Sequence, residues 1–507
     1  MQQLTGLDAA FLAMETSSVF GHVGSVCVID PSTAPEDFTL ERLTRLIERR
    51  LHLIPPFRRR LVEVPLGLDQ PYWIEDPDFD VEYHVRELGL AAPGDDRQLA
   101  DQAARLHARP LDRRRPLWEL YLIHGLEGGR KAIYTKVHHA AIDGVSGNDI
   151  LGAVLDQTPE GRTEQDAPDW SCDKQPSSVG MLARSVVSLA GHPLRAARLS
   201  YDLVKSMPGL ATGPALRLPF VDSLFRRDSS DLILGPTGLR APGTPFNKSV
   251  SPHRRWAFVS LPFADVKAVK NAHGCTVNDV VMALSSGALR HWLLDHDALP
   301  DAPLVAGVPV SVRSESQQGQ GGNRVSSMLA PIPTNLADPV ERLQACHQSM
   351  RAAKEQHGAL PADMLADVAQ FAMPALAGQA ARLAARLRLV ERVNPFNLII
   401  SNVPGPNVSL FYAGARLLSY YPLSAIADGQ GLNITVMSYG GQLHFGVIAD
   451  RDLVPDVDRI AGYLAEELAA LSTATRSGST GSTVTPVKRT RAKQSSARKN
   501  VASAASG

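Results

Sequence analysis

Two adjacent histidines and an aspartate are the residues of this chain whose types and spacing best suit proton-transfer chemistry. They are His138, His139 and Asp143, and Gly144 follows the aspartate directly. A histidine titrates near neutral pH, so it can take a proton from an alcohol and give it back. A single His-x-x-x-Asp pattern is also common by chance, and a lone histidine more often lies in the core or on the surface.

The residues before the histidines have the alternation of a β-strand, and Gly144 marks the turn after it. Successive side chains of a strand point to opposite faces, so His138 and His139 would not share one cleft. His139 would share its face with Ile133 and Val137, which could continue a dry cleft wall. We therefore predict that His139 is the general base and that His138 supports it.

Asp143 lies where the predicted strand ends. A buried carboxylate there could pair with an arginine and lock the turn, or it could orient a histidine. A metal site made of His138, His139 and Asp143 is an alternative, but side chains on opposite strand faces make poor co-ligands. The expectation is a site without a metal.

The stretch from His138 to Gly144, HHAAIDG, resembles the HHxxxDG motif of a large acyltransferase superfamily, which includes chloramphenicol acetyltransferase-like enzymes and the condensation domains of peptide synthetases. Other segments are similar to those of bacterial wax ester synthase/acyl-CoA:diacylglycerol acyltransferases: LDAAFL near the N-terminus, then WIEDPDFDVEYHV, RPLDRRRPLWEL and SNVPGP. The resemblance extends to about Ala470, so it covers all but the tail.

This resemblance implies a mixed α/β fold of two chloramphenicol-acetyltransferase-like halves with a tunnel between them. It also implies an O-acyltransferase that moves a fatty acyl group from long-chain acyl-CoA to diacylglycerol, and to long-chain alcohols to give wax esters. His139 would take the proton of the alcohol as its oxygen attacks the thioester. No cofactor is expected, because acyl-CoA is itself a co-substrate.

Further site residues follow from the same resemblance. Pro116, Leu117 and Trp118 match an element near the acyl-binding region, and Asn278 matches the asparagine of an Asn-Asp pair thought to lie near the reacting groups. From the residues alone, Trp118 is a large apolar residue that opens a strand and belongs in the core. Asn278 lies in the first turn of a predicted helix, where a cap or tether would explain it.

Changes in composition divide the chain. We predict an N-terminal half with the HHxxxDG motif over residues 1–157, a linker and crossover region with amphipathic helices over 158–250, and a C-terminal half over 251–471. The tail, 472–507, has seven Lys or Arg and no acid, and we expect it to be disordered. The rest has 45 basic and 52 acidic residues, a net charge of −7.

The overall composition is that of an ordinary globular protein. The chain has 507 residues, of which 44% are hydrophobic and 21% charged, and its formal net charge is zero, so nothing points to nucleic acid. Four cysteines are widely spaced without a CxxC pair, which fits a reducing cytoplasm: Cys27, Cys172, Cys275 and Cys346.

No signal peptide or membrane-spanning run is expected, because the N-terminal stretch lacks a basic segment and no run of about 18 apolar residues exists. The apolar substrates instead imply a cytoplasmic protein that associates peripherally with the inner membrane or with lipid droplets. Residues 181–207 and 363–390 pair apolar residues with arginines; helices packed on the body are the default, and contact with a membrane surface is the alternative.

Two other functions remain open at this point. One is a condensation-type acyltransferase that uses carrier-protein thioesters, although no carrier domain is evident. The other is a non-catalytic lipid-binding protein of the same fold, although His139, Asp143 and Gly144 are all intact. The sequence does not separate diacylglycerol from a fatty alcohol as acceptor, because the size of the pocket depends on packing.

Overall fold

Two six-stranded sheets form the framework of this mixed α/β protein. The computed structural model describes residues 1–142, 147–162, 176–184, 241–311, 325–357 and 394–479. The first sheet has the spatial order β12 (Phe411–Tyr412), β13 (Ala415–Leu423), β2 (His22–Asp30), β7 (Lys131–His138), β6 (Trp118–His124) and β5 (Val85–Gly89). The second has the order β10 (Val325–Ile332), β9 (Leu304–Ser311), β11 (Leu398–Val403), β14 (Leu432–Tyr439), β15 (Gln442–Asp450) and β8 (Arg254–Pro262).

A small third sheet and a set of helices complete the described part of the chain. The small sheet consists of β1 (Gln2–Gln3), β4 (Tyr72–Glu75) and β3 (Arg59–Val62). The helices are α1 (Gly6–Met14), α2 (Leu40–Arg50), α3 (Val81–His84), α4 (Asp96–His107), α5 (Gly147–Val154), α6 (Phe263–His273), α7 (Val277–Asp295), α8 (Pro339–His357) and α9 (Val457–Ser479). Among the described helices, none is both long and apolar enough to cross a membrane.

Hydrophobic periodicity and capping residues explain where the main helices begin. Thr276 caps α7, and its hydroxyl and the Asp279 carboxylate form a reciprocal capping box. Asp95 and Gln98 do the same for α4. The last helix, α9, continues to Ser479, so the first residues of the tail that was predicted to be disordered, 472–479, are helical.

Each sheet is covered by helices that bury apolar faces. The second sheet packs on α7, α8 and α9, where most of the core residues of the C-terminal half lie. The first sheet has α2 against one face and α4 against the other. The α4 side also includes Trp256 and Ile448 of the second sheet, so one apolar cluster spans both halves.

Two consecutive strands from the C-terminal part of the sequence, β12 and β13, belong to the N-terminal sheet. β13 pairs antiparallel with β2, with Leu423 opposite Gly24 and Arg416 opposite Asp30. The same strand also packs against β15 of the second sheet, where Gly446 lies against the Pro422 carbonyl. The two halves are therefore interlocked, while the predicted boundaries along the chain stay predictions. The predicted linker and crossover, 158–250, lies largely outside the described residues.

Candidate active site

The two histidines lie at the point where β7 ends. His138 is the last residue of the strand and lies opposite His22 of the neighbouring strand β2. His139 opens a short 3-10 turn that ends at Ile142. The His138 amide donates to the Leu117 carbonyl, and the His139 amide donates to the Gly21 carbonyl. The prediction that strand alternation continues through His139 was wrong, because the backbone turns at this residue.

His138 is buried and both of its ring nitrogens face protein groups. Its side chain is only 1% exposed. Nδ1 accepts a hydrogen bond from the Ala140 amide at 3.0 Å, and Nε2 lies 3.2 Å from Glu15 Oε1. An acceptor Nδ1 carries no proton, so the neutral ring has its proton on Nε2, facing the carboxylate. His138 therefore has no ring nitrogen left for a substrate.

His139 is partly exposed, unlike its neighbour. Its ring stacks on that of Phe11 with centroids 4.5 Å apart and an interplanar angle of 12°. Burial, together with the nearby His138, lowers the pKa of His139 to about 4. The imidazole is therefore neutral at pH 7, which is the form that a general base requires.

Glu15 is a site residue that sequence reasoning missed. Its carboxylate accepts from the Gly21 amide at 2.8 Å and from Arg113 at 2.7 Å, besides lying next to His138. Arg113 also donates to the Leu12 carbonyl at the end of α1. The only sequence signal was position: Glu15 directly follows the LDAAFLAM segment, and Arg113 lies within RPLDRRRPLWEL.

Pro116, Leu117 and Trp118 lie behind the histidines in the core. All three are buried, and the Leu117 carbonyl holds the His138 amide at 2.9 Å. The Trp118 ring stacks on Phe57 at 4.6 Å and its Nε1 donates to the Phe57 carbonyl. The tripeptide thus supports the end of β7, and its role in an acyl pocket stays a prediction.

Asn278 belongs to a second group of residues, in the C-terminal half. Its Oδ1 accepts from Asn402 Nδ2 at 3.4 Å, and Asn402 lies near the end of β11 in the SNVPGP segment. Thr276 and the adjacent Asp279, rather than Asn278, form the cap of the helix, and Asp279 also pairs with His347 at 2.8 Å. The side chain of Asn278 is therefore not used as a cap, and its role near the reacting groups stays a prediction.

The remaining predicted site residues, Asp143 and Gly144, lie outside the described residues. The residues that the structure describes are already sufficient for proton transfer. A neutral, partly exposed imidazole stands on a turn that a buried histidine, a carboxylate and an aromatic ring hold in place. This arrangement can accept a proton from a hydroxyl group and return it.

Solved structures of other proteins share the two-domain, chloramphenicol acetyltransferase-like fold of this chain. A trichothecene 15-O-acetyltransferase from Fusarium sporotrichioides superposes with a TM-score of 0.54 at 12% identity, covering 92% of this chain and 95% of that one. The starter condensation domain of rhizomide synthetase superposes with a TM-score of 0.51 at 13% identity, covering 94% of each chain. At such identities the likeness concerns the fold, and it confirms the predicted fold class.

Closer comparisons define the family. The model of the wax ester synthase/diacylglycerol acyltransferase catalytic domain matches residues 4–281, and that of the WS/DGAT C-terminal domain matches residues 321–472. A Mycobacterium tuberculosis protein provisionally named diacylglycerol O-acyltransferase Rv1760 is 37% identical, covering 93% of this chain and 90% of its own. Another protein from that species, provisionally named diacylglycerol O-acyltransferase tgs2, is 37% identical, covering 92% of this chain and 98% of its own.

A solved wax ester synthase/diacylglycerol acyltransferase from Marinobacter aquaeolei is 30% identical, with a TM-score of 0.65, and the match covers 94% of this chain and all of that one. The chain belongs to the wax ester synthase/diacylglycerol acyltransferase family and is an acyltransferase. The family predicted from the HHxxxDG motif and the flanking segments is thereby confirmed.

Proposed function

We propose that this acyltransferase moves a long-chain acyl group from acyl-CoA to diacylglycerol, which gives triacylglycerol, and that it also uses long-chain alcohols, which gives wax esters. The names of the mycobacterial relatives support diacylglycerol as acceptor. The name of the Marinobacter enzyme covers both acceptors. Acyl-CoA is the co-substrate, and the proposal includes no other cofactor.

His139 is the general base in this proposal. The observation that carries the assignment is the contrast between the two histidines: both ring nitrogens of His138 face protein groups, while His139 is neutral and partly exposed. His139 takes the proton as the alcohol oxygen attacks the thioester carbonyl. The imidazolium then protonates the departing thiolate of coenzyme A. General-base help of this kind accelerates reactions by about 10²–10⁴-fold.

The tetrahedral intermediate needs donors for its oxyanion. Asn278 is the proposed donor, because Thr276 and Asp279 cap α7 and the side-chain amide of Asn278 takes no part in the cap. Loss of one such donor typically costs about 2.7–4 kcal/mol of transition-state stabilisation. We place the reaction in a tunnel between the halves, with acyl-CoA and the lipid alcohol approaching from opposite sides.

A condensation-type enzyme that uses carrier-protein thioesters is the second candidate. It is supported by the shared fold of the rhizomide synthetase domain alone. The family match over both halves favours the lipid acceptor.

The test uses purified wild type and His139→Ala with radiolabelled palmitoyl-CoA, offering diacylglycerol and hexadecanol in parallel. We expect labelled triacylglycerol and wax ester from the wild type, and a loss of at least about 10²-fold in the mutant. The ratio of products identifies the preferred acceptor. No product from either alcohol would favour carrier-protein thioesters, and an active mutant would exclude His139 as the base.

We further propose that the protein works in the cytoplasm, bound peripherally to the inner membrane or to lipid droplets. The basic residues beyond α9 support this, because each cation near an anionic surface contributes roughly 1 kcal/mol: Lys488, Arg489, Arg491, Lys493, Arg498 and Lys499. Removal should begin after Ser479, since Thr475 of α9 bonds to His273 of α6. A chain lacking residues 480–507 should sediment less with anionic liposomes at low salt; unchanged sedimentation would exclude the tail as an anchor.

A further inference from the structure

We propose that Glu15 is a positioning residue for catalysis: through His138 and Gly21 it fixes the turn that carries His139. This inference rests on the proposed function, in which His139 is the base. It assigns a role to the N-terminal segment, which lies more than a hundred residues from the motif along the chain but directly against it in the fold.

His138 holds the turn through one of its ring nitrogens. The Ala140 amide at the start of the turn donates to His138 Nδ1, so the ring acts as a side-chain cap for that turn. The ring can do this only while Nδ1 is unprotonated. A carboxylate beside Nε2 favours this tautomer, because its negative charge lies 3.2 Å from the nitrogen that carries the proton. Glu15 therefore selects the form of His138 that holds the turn.

Glu15 is itself held in place by neighbouring groups. Its side chain is 14% exposed, and its oxygens accept from the Gly21 amide and from Arg113. Burial acts to raise the pKa of Glu15, but His138, the Gly21 amide and Arg113 together lower it to about 2. The carboxylate thus stays charged at every pH at which the enzyme would be assayed.

The backbone of His139 is tied to the same group of residues through Gly21. Its amide donates to the carbonyl of Gly21, the same residue whose amide donates to Glu15. A Cβ at Gly21 would lie 2.6 Å from His138 Nε2 and 3.3 Å from the Phe11 carbonyl, so a larger residue would displace the ring. Phe11 of α1 supports the His139 side chain by stacking on its ring.

Two substitutions of Glu15 separate position from charge. Glu15→Gln keeps the length of the side chain and an oxygen for His138 and Gly21, but it loses the charge. Glu15→Asp keeps the charge and can still pair with Arg113, but it is too short to reach His138. If Glu15 acts by position, Glu15→Gln should retain kcat within about 3-fold, and Glu15→Asp should lose about 10- to 100-fold, since a misplacement of about 1 Å can cost that much.

The KM for palmitoyl-CoA should change less than about 2-fold in both variants, because Glu15 would act on the base and not on substrate binding. Asp101→Ala is the matched control: it removes an ion pair of similar length, to Arg255, away from the histidines. This control should keep the kcat of wild type. Thermal melts of every variant give the folded fraction to which kcat is referred.

The outcomes distinguish this inference from the proposed function. Suppose that His139→Ala is inactive, and that the kcat of Glu15→Asp equals that of wild type or is higher than that of Glu15→Gln. The positioning role is then wrong and the general base stands. If KM rises while kcat is unchanged, Glu15 contributes to binding and the inference is also wrong. An active His139→Ala enzyme overturns both together.

Discussion

His139 differs from an exposed histidine because burial and the adjacent His138 disfavour its charged form. The lowered pKa of about 4 means that the imidazole loses its basic form only in acid. We expect kcat/KM, which reports the free enzyme, to be level from about pH 8 to pH 5 and to fall as the pH decreases through about 4.

The measurement is a pH–rate profile with short incubations, with tryptophan fluorescence recorded at each pH to show that the protein is folded. A midpoint near 6.5, the usual value for histidine, would contradict the environment described for His139.

At this scale the sequence singled out His139 as the candidate base, and that choice stays a prediction. The choice of His139 was argued from strand alternation, and that argument was wrong because β7 ends at His138. The choice now rests on the burial and bonding of His138. Glu15 and Phe11 could not be found, because their contacts with the histidines join segments far apart in the chain and no local pattern records such contacts.

At the scale of elements, β13 and β15 cross with almost no space between them. A Cβ at Gly446 would lie 1.8 Å from the Pro422 carbonyl oxygen, and that oxygen also accepts from Trp256 Nε1 at 3.3 Å. Gly446→Ala should therefore force the two sheets apart and lower the free energy of unfolding by about 1–3 kcal/mol or more. Urea denaturation measures this change.

Gly462→Ala is the control for that experiment. Gly462 is an exposed residue of α9 where a Cβ meets open space. Alanine there should raise the stability by roughly 0.5–1 kcal/mol, because glycine is a poor helix former. Equal effects of the two substitutions would show that the crossing of β13 and β15 tolerates a methyl group.

Helix and strand bounds were largely predictable because they depend on local patterns. The helix predicted to carry Asn278 in its first turn is α7, which begins at Val277. Strand order was not predictable in the same way. Nothing within Ala415–Leu423 indicates that its partner is β2, nearly four hundred residues earlier.

At the scale of the whole molecule, several histidines are kept neutral by burial. Burial lowers the pKa of His84, His139 and His444 to about 4 and that of His107 to about 3, and it lowers the pKa of His22 well below its usual value. In the unfolded chain they bind protons near pH 6.5. Between that pH and the folded values the unfolded state binds more protons, so stability is lost as the pH falls.

We therefore expect the free energy of unfolding to decrease from pH 7.5 to pH 5.5, by up to about 1.4 kcal/mol for each such histidine. Urea unfolding at the two pH values measures the loss. His444→Gln should reduce this pH-dependent loss by the contribution of one buried histidine, up to about 1.4 kcal/mol. A stability independent of pH in this range would contradict the burial described.

The pairing of β13 with β2 also has a consequence for the synthesis of the protein. β2 and β7 leave the ribosome early, but β13, which covers the free edge of β2, is made only after most of the chain. At roughly 5–20 residues per second, that edge stays unpaired for tens of seconds. An unpaired edge is a template for aggregation, so a nascent or prematurely terminated chain that ends before Ala415 is the form of this protein most in need of a chaperone.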